Sequence, residues 1–124
     1  MSVELSLRFT FDAAHRFEHF PDGHANARVH GHSFSAEVSV RGEPDARTGF
    51  LVEFGELERA CAEVRAELDH RLLNEVPGLG APSLENLCAW IWRRLAPRLP
   101  VLSAVRVSRE SAGQSCVYTG PRSA

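Results

Sequence analysis

The stretch VHGHSFSAEVSVR, residues 29–41, decides the fold. Its even positions are His30, His32, Phe34, Ala36, Val38 and Val40, and its odd positions include Ser33, Ser35, Glu37, Ser39 and Arg41. Alternation of this kind is the period of a strand with one buried face. The two histidines extend the apolar row, so the pattern that predicts the strand also places two imidazoles on its inner side. Their Cα atoms then stand about 7 Å apart, and both rings can lean toward one ion. Gly31 between them leaves room for close backbone approach.

Upstream, Ser2 to His15 alternates in the same way. Leu5, Leu7, Phe9 and Phe11 share one parity, and Glu4, Ser6, Arg8, Thr10 and Asp12 share the other. Carrying the odd parity through Ala13 puts His15 at the end of the apolar face, a natural neighbour for His30 and His32. Residues 16–29 (RFEHFPDGHANARV) have no period and hold Pro21, Asp22, Gly23 and Asn26. They form a long loop of the kind that often carries function. His19 and His24 within it read as solvated residues.

Downstream, Gly42 to Gly49 is turn-like. From Phe54 the period changes: Phe54, Leu57, Cys61, Val64 and Leu68 recur at three- and four-residue steps, as on one face of a helix. Asn74 to Pro82 is a connection punctuated by proline and glycine. Ser83 reads as an N-cap with Glu85 in the first turn, followed by the stripe Leu84, Leu87, Cys88, Ile91 and Leu95, and Pro97 limits the helix. Residues 102–110 and 116–119 are strand-like and flank a turn at Ala112 and Gly113. The order is β-β-α-α-β-β, which predicts an α+β fold with two helices on one face of an antiparallel four-stranded sheet.

The 124 residues suit one domain, 1–124, with one core. Apolar residues make up 44% and charged residues 24%, and the formal net charge is −2, which speaks against a nucleic-acid binder and a polybasic membrane patch. No apolar run spans a bilayer, and the N-terminus lacks the pattern of a secretory signal, so a cytoplasmic protein is expected. Cys61, Cys88 and Cys116 are odd in number and form no closely spaced pair, which fits a reducing compartment.

Three imidazoles without a thiolate leave one coordination position open, the pattern of a catalytic zinc site, although the ligand type alone also admits iron or nickel. Asp69 beside His70, just past the first helix, can orient that ring for proton transfer. Glu110, if it faces a cleft, can accept the paired N–H groups of a heterocycle.

The segments FTFDAAHRF (9–17), PDGH (21–24), HGHSF (30–34), GFLVEFGEL (49–57), LDHRLLNEVPGL (68–79), PSLENLCAWIW (82–92) and LSAVRVSRES (102–111) together resemble the 6-pyruvoyl-tetrahydropterin synthase family. The likeness is strongest to its bacterial 6-carboxytetrahydropterin synthase branch, of the queuosine pathway. The resemblance implies a tunnelling fold assembled as a homohexamer, a dimer of trimers with active sites between subunits. It implies Zn2+ on His15, His30 and His32. It makes Asp69 and His70 the proton-transfer pair, Glu110 the anchor of the pterin ring and Phe54 part of the pterin pocket. Glu53 stands where the family usually has Asp. The substrate it implies is 7,8-dihydroneopterin triphosphate, converted to 6-carboxytetrahydropterin. One position departs: the family's catalytic cysteine, four residues before the first histidine of the HGH motif, is Asn26 here. An amide cannot serve as a thiolate. The departure opens two alternatives, a related pterin enzyme that cleaves the side chain differently, of folate or 6-pyruvoyl type, and a metal- and pterin-binding protein without turnover.

Overall fold

The computed structural model describes residues 1–122. Strand β1 spans Val3–His15 and β2 spans His30–Gly42, joined by the loop that contains a single 3-10 turn at Ala25–Ala27. Helix α1 runs Phe54–Leu68 and α2 runs Leu84–Leu95, and strands β3 (Leu102–Arg109) and β4 (Gln114–Tyr118) close the chain. The sheet order is β1-β2-β3-β4, with every neighbour antiparallel. This is the α+β arrangement expected from the periodicity. Among the described residues no helix is long and apolar enough to cross a membrane.

The odd row of β1 and the even row of β2 face the helices. Phe11, Ala13, His15, Phe34, Ala36, Val38 and Val40 are all buried. From β3 they meet Val105 and Val107, and from the helices Leu57, Cys61, Val64, Leu68, Leu87, Cys88, Ile91 and Leu95. Helix α1 lies over β1, and α2 lies over β3 and β4. Phe54 departs from its expected place on the buried stripe. It is the first residue of α1 and 43% exposed, and burial on that helix begins one turn later, at Leu57. Leu87 is fully enclosed between α2 and the sheet. Leu87→Ala is expected to lower unfolding stability by about 2–5 kcal/mol in urea denaturation, since the surrounding side chains relax only partly into the space.

Local chemistry sets the helix ends. Glu53 caps α1, its carboxylate accepting from the backbone N–H of Gly55 at 2.9 Å and of Glu56 at 3.1 Å. Here Glu reaches as a shorter acid would because Gly55 has no side chain: a Cβ there would lie 2.8 Å from Glu53 Oε1. Ser83 caps α2 by accepting from Asn86 N–H at 3.1 Å. Helix α1 stops at Asp69, and the next residue, His70, has φ 59, the only left-handed backbone of a non-glycine residue among those described. Its N–H donates to the Asp12 carbonyl at 2.7 Å, which ties the turn to β1.

Candidate metal centre and adjoining cleft

Strand register builds the centre. Pairing of β1 with β2 sets His15 directly opposite His30 and Ala13 opposite His32. All three imidazoles therefore stand on the inner face at the open end of the sheet. Gly31 makes the close pairing possible, since a Cβ there would press on the Ala13 carbonyl oxygen at 3.3 Å. One nitrogen from each ring lies within 4.8 Å of the others, a group able to hold a metal ion.

The second nitrogens reveal which atoms face inward. His15 Nδ1 donates to the carbonyl of Pro82 at 3.0 Å, and His30 Nδ1 donates to the carbonyl of Arg28 at 2.8 Å. A carbonyl only accepts, so each Nδ1 carries the proton and each Nε2 of the neutral ring presents a lone pair. Those two Nε2 atoms face one another at 3.0 Å. The third ring offers Nε2 of His32, buried and without a hydrogen-bond partner. A buried polar nitrogen without a partner costs roughly 1–3 kcal/mol, and opposed lone pairs add repulsion. A cation among the three removes both penalties, and carbonyls behind the rings are the usual means of fixing ligand orientation. The donor set fits a divalent metal.

The surroundings favour the neutral form of His15 and His32. Burial lowers the His15 pKa to about 4, a fall that its Pro82 bond only partly opposes. Burial also lowers His32, and the nearby Arg109 guanidinium pushes it further down. Phe17 packs on His15 with ring centroids 4.8 Å apart, and Phe34 lies beneath His32 at 5.6 Å.

Asp12, Gly31, His32, Ser33, His70 and Arg71 line one open cleft at this end of the molecule. Asp69 organises its far side. One carboxylate oxygen accepts from the Asp12 backbone N–H at 3.0 Å, and the other accepts from His70 Nδ1 at 2.9 Å and pairs with Arg65 Nη2 at 3.2 Å. The Asp12 N–H is the main reason that the Asp69 carboxyl sits below the usual range, followed by the His70 bond and the Arg65 charge. Asp69 is thus a fixed anion, and it leaves Nε2 of the exposed His70 ring free to face a ligand.

Other expected site residues lie outside this cleft. Glu110 begins a 3-10 turn after β3 rather than ending the strand, and it pairs with Arg8 Nη1 at 2.9 Å on the sheet face away from the helices. Such an exposed pair contributes little and is readily exchanged for another partner. Phe54 projects from the start of α1. Asn26 sits in the 3-10 turn, its N–H donating to His24 Nδ1 at 3.0 Å and its carbonyl accepting from Phe17 N–H at 2.8 Å. His24 is exposed as expected but has a structural use, capping that turn and stacking on Phe20. Among the described residues no cysteine joins the group of His15, His30 and His32. Cys61 and Cys88 are core residues whose pKa values burial pushes up to about 11 and about 12, so neither supplies a thiolate at neutral pH. Cys116 is on β4, its carbonyl accepting from the Cys88 thiol. Sequence reasoning missed the carbonyls of Pro82 and Arg28 behind the imidazoles, and it missed Arg109.

A four-stranded antiparallel sheet with paired helices on one face and three convergent imidazoles at its open end defines a tunnelling-fold protein with a candidate metal centre. The match to the 6-pyruvoyl tetrahydropterin synthase family model runs over residues 4–121, and the chain belongs to that family. It is 36% identical over 102 residues to a dihydroneopterin monophosphate aldolase of Pyrococcus furiosus, covering 81% of each chain. It is 34% identical over 120 residues to a 6-carboxy-5,6,7,8-tetrahydropterin synthase of Synechocystis, covering 92% of this chain and 91% of the relative. Among solved structures, the Caenorhabditis elegans 6-pyruvoyl tetrahydropterin synthase superimposes with a TM-score of 0.86 at 24% identity, over 98% of this chain and 97% of that one. The relatives make this a chain of a pterin-processing enzyme family.

Proposed function

We propose that the protein is a zinc-dependent lyase that breaks a carbon–carbon bond in the side chain of a phosphorylated 7,8-dihydroneopterin. The observation that carries this reading is the triad itself: two lone pairs and one unpartnered buried nitrogen converge beside a cleft lined by His32 and by His70, whose ring Asp69 orients. Zinc, when bound by His15, His30 and His32, supplies Lewis acidity to the side-chain hydroxyls. The carbonyls of Pro82 and Arg28 hold two of those ligands in the required tautomer. His70, oriented through Nδ1 by Asp69, carries the exchangeable proton at Nε2. Glu110 exchanges Arg8 for the amino and ring N–H groups of the pterin, and Phe54 covers the ring. Glu110 and Phe54 stand outside the His32 cleft, which suits a pocket completed between subunits of a homohexamer.

Two endings share the bond cleavage. In the aldolase ending the 2′-hydroxyl loses its proton, the C1′–C2′ bond breaks, and C1′ takes up a proton. The products are a 6-hydroxymethyl dihydropterin and a phosphorylated glycolaldehyde, with no net oxidation. In the carboxytetrahydropterin synthase ending, triphosphate leaves and protons shift along the intact side chain first; one water then enters as the C1′–C2′ bond breaks, giving 6-carboxytetrahydropterin, acetaldehyde and triphosphate. The first ending needs fewer proton transfers and suits a site with Asn26 in place of the thiol and His70 as the single ordered acid–base group. The Pyrococcus relative supports it, and the Synechocystis relative supports the second. Incubating zinc-loaded protein with dihydroneopterin monophosphate and, separately, triphosphate, with products identified by mass spectrometry, is expected to give hydroxymethyl dihydropterin. Carboxytetrahydropterin would select the synthase ending instead. Tight pterin binding without any product, with activity appearing in Asn26→Cys, would leave a binding protein.

A further inference from the structure

Strand β3 carries an inward row that begins as core and ends as charge. Val105 pairs with Val38 and Val107 with Ala36, and both valines are fully buried against the helices. The next residue of that parity is Arg109, the last of the strand. The register carries it toward Phe34 and His32, and its charge is felt by both His15 and His32. Its Nε is buried and has no hydrogen-bond partner, and among the described residues its side chain forms no ion pair.

The neighbours do not neutralise it. Gln114, opposite on β4, is uncharged. The adjacent Glu110 is turned to the other face, where Arg8 holds it. An inward guanidinium with an unused Nε, beside a group of ligands that collects further positive charge, is costly without an anion. The fork of a guanidinium offers parallel N–H donors that match two oxygens of one group, and a phosphoryl group supplies them where a single side-chain alkoxide does not.

We propose that Arg109 binds the phosphoryl group of the substrate, and so selects phosphorylated over unphosphorylated side chains. The proposal rests on the pterin reading above for the substrate but not for the anion subsite. The test uses the zinc-loaded full chain, with neopterin monophosphate, neopterin and inorganic tripolyphosphate as unreactive probes, read by calorimetry. The unaltered protein is expected to bind the monophosphate at least about tenfold more tightly than neopterin, the scale of one charge-assisted pair. Arg109→Gln is expected to erase that preference while neopterin affinity and zinc content stay the same, and Arg109→Lys to restore part of it. A preference that survives in Arg109→Gln, or a loss of zinc or of neopterin binding in both variants, would overturn the proposal. Should neither pterin bind while tripolyphosphate binds in an Arg109-dependent way, the subsite stands and the pterin reading falls. Should no probe bind the unaltered protein, both fall.

Discussion

His32→Ala is expected to strip the protein of its metal and to lower kcat by three orders of magnitude or more. Of the three proposed ligands, His32 is the one whose inward nitrogen has no other use. Nε2 is buried and unpartnered, whereas His15 and His30 each keep a carbonyl bond through their other nitrogen. Removing the ring leaves two neutral imidazoles, which hold zinc far less tightly than three and leave it open to competing ligands. The fold should survive, because His32 lies at the end of the sheet, past the fully buried rungs of Phe34, Ala36, Val38 and Val40. Metal analysis of dialysed protein provides the check, with about one zinc per chain in the parent and little in the variant. Retention of a full zinc complement by His32→Ala would show that the ligand set is wrong.

The second large effect is at Asp69. Asp69→Asn is expected to reduce kcat by about a hundredfold to ten-thousandfold, with KM changed little and zinc retained, as when the orienting acid of another histidine is neutralised. The carboxylate oxygen that receives His70 Nδ1 also pairs with Arg65, and its partner oxygen receives the Asp12 N–H. An amide can satisfy only part of that set, because one of its two heads is a donor. The His70 ring then loses its preferred tautomer and its anionic backing. The pH–rate profile separates this role from a structural one: a limb belonging to the His70 ring should shift in Asp69→Asn, whereas a merely loosened turn would lower the rate without moving the limb. Unchanged kcat and profile in a folded variant would remove Asp69 and His70 from the mechanism.

Much of this was legible before any coordinates. The period of two in residues 2–15 and 29–41 marks the strands and, through the same parity, the three imidazoles of the candidate metal centre, because all of them fall on one face. Helix starts were readable at Ser83, whose side chain does cap α2. Phe54 leaves the buried stripe, and a periodic pattern does not say at which turn of a helix burial begins. The backing carbonyls of Pro82 and Arg28 were invisible, since any residue type offers a carbonyl and only tertiary structure aims it. Arg109 did leave a signal, a charge continuing the parity of Val105 and Val107, but the end of a strand is where a charge ordinarily reaches solvent. Asp69 and His70 were visible as a pair, yet their hold on the Asp12 backbone depends on a contact across 57 positions of chain.

The left-handed backbone at position 70 acts as a filter on what evolution can place there. Beyond glycine, that conformation is entered most readily by Asn, Asp and His. Of those four, only histidine exchanges a proton near neutral pH. The main chain admits a short alphabet, the proposed proton-transfer role accepts one letter of it, and under that proposal drift at this site has almost nowhere to go while the chemistry is retained.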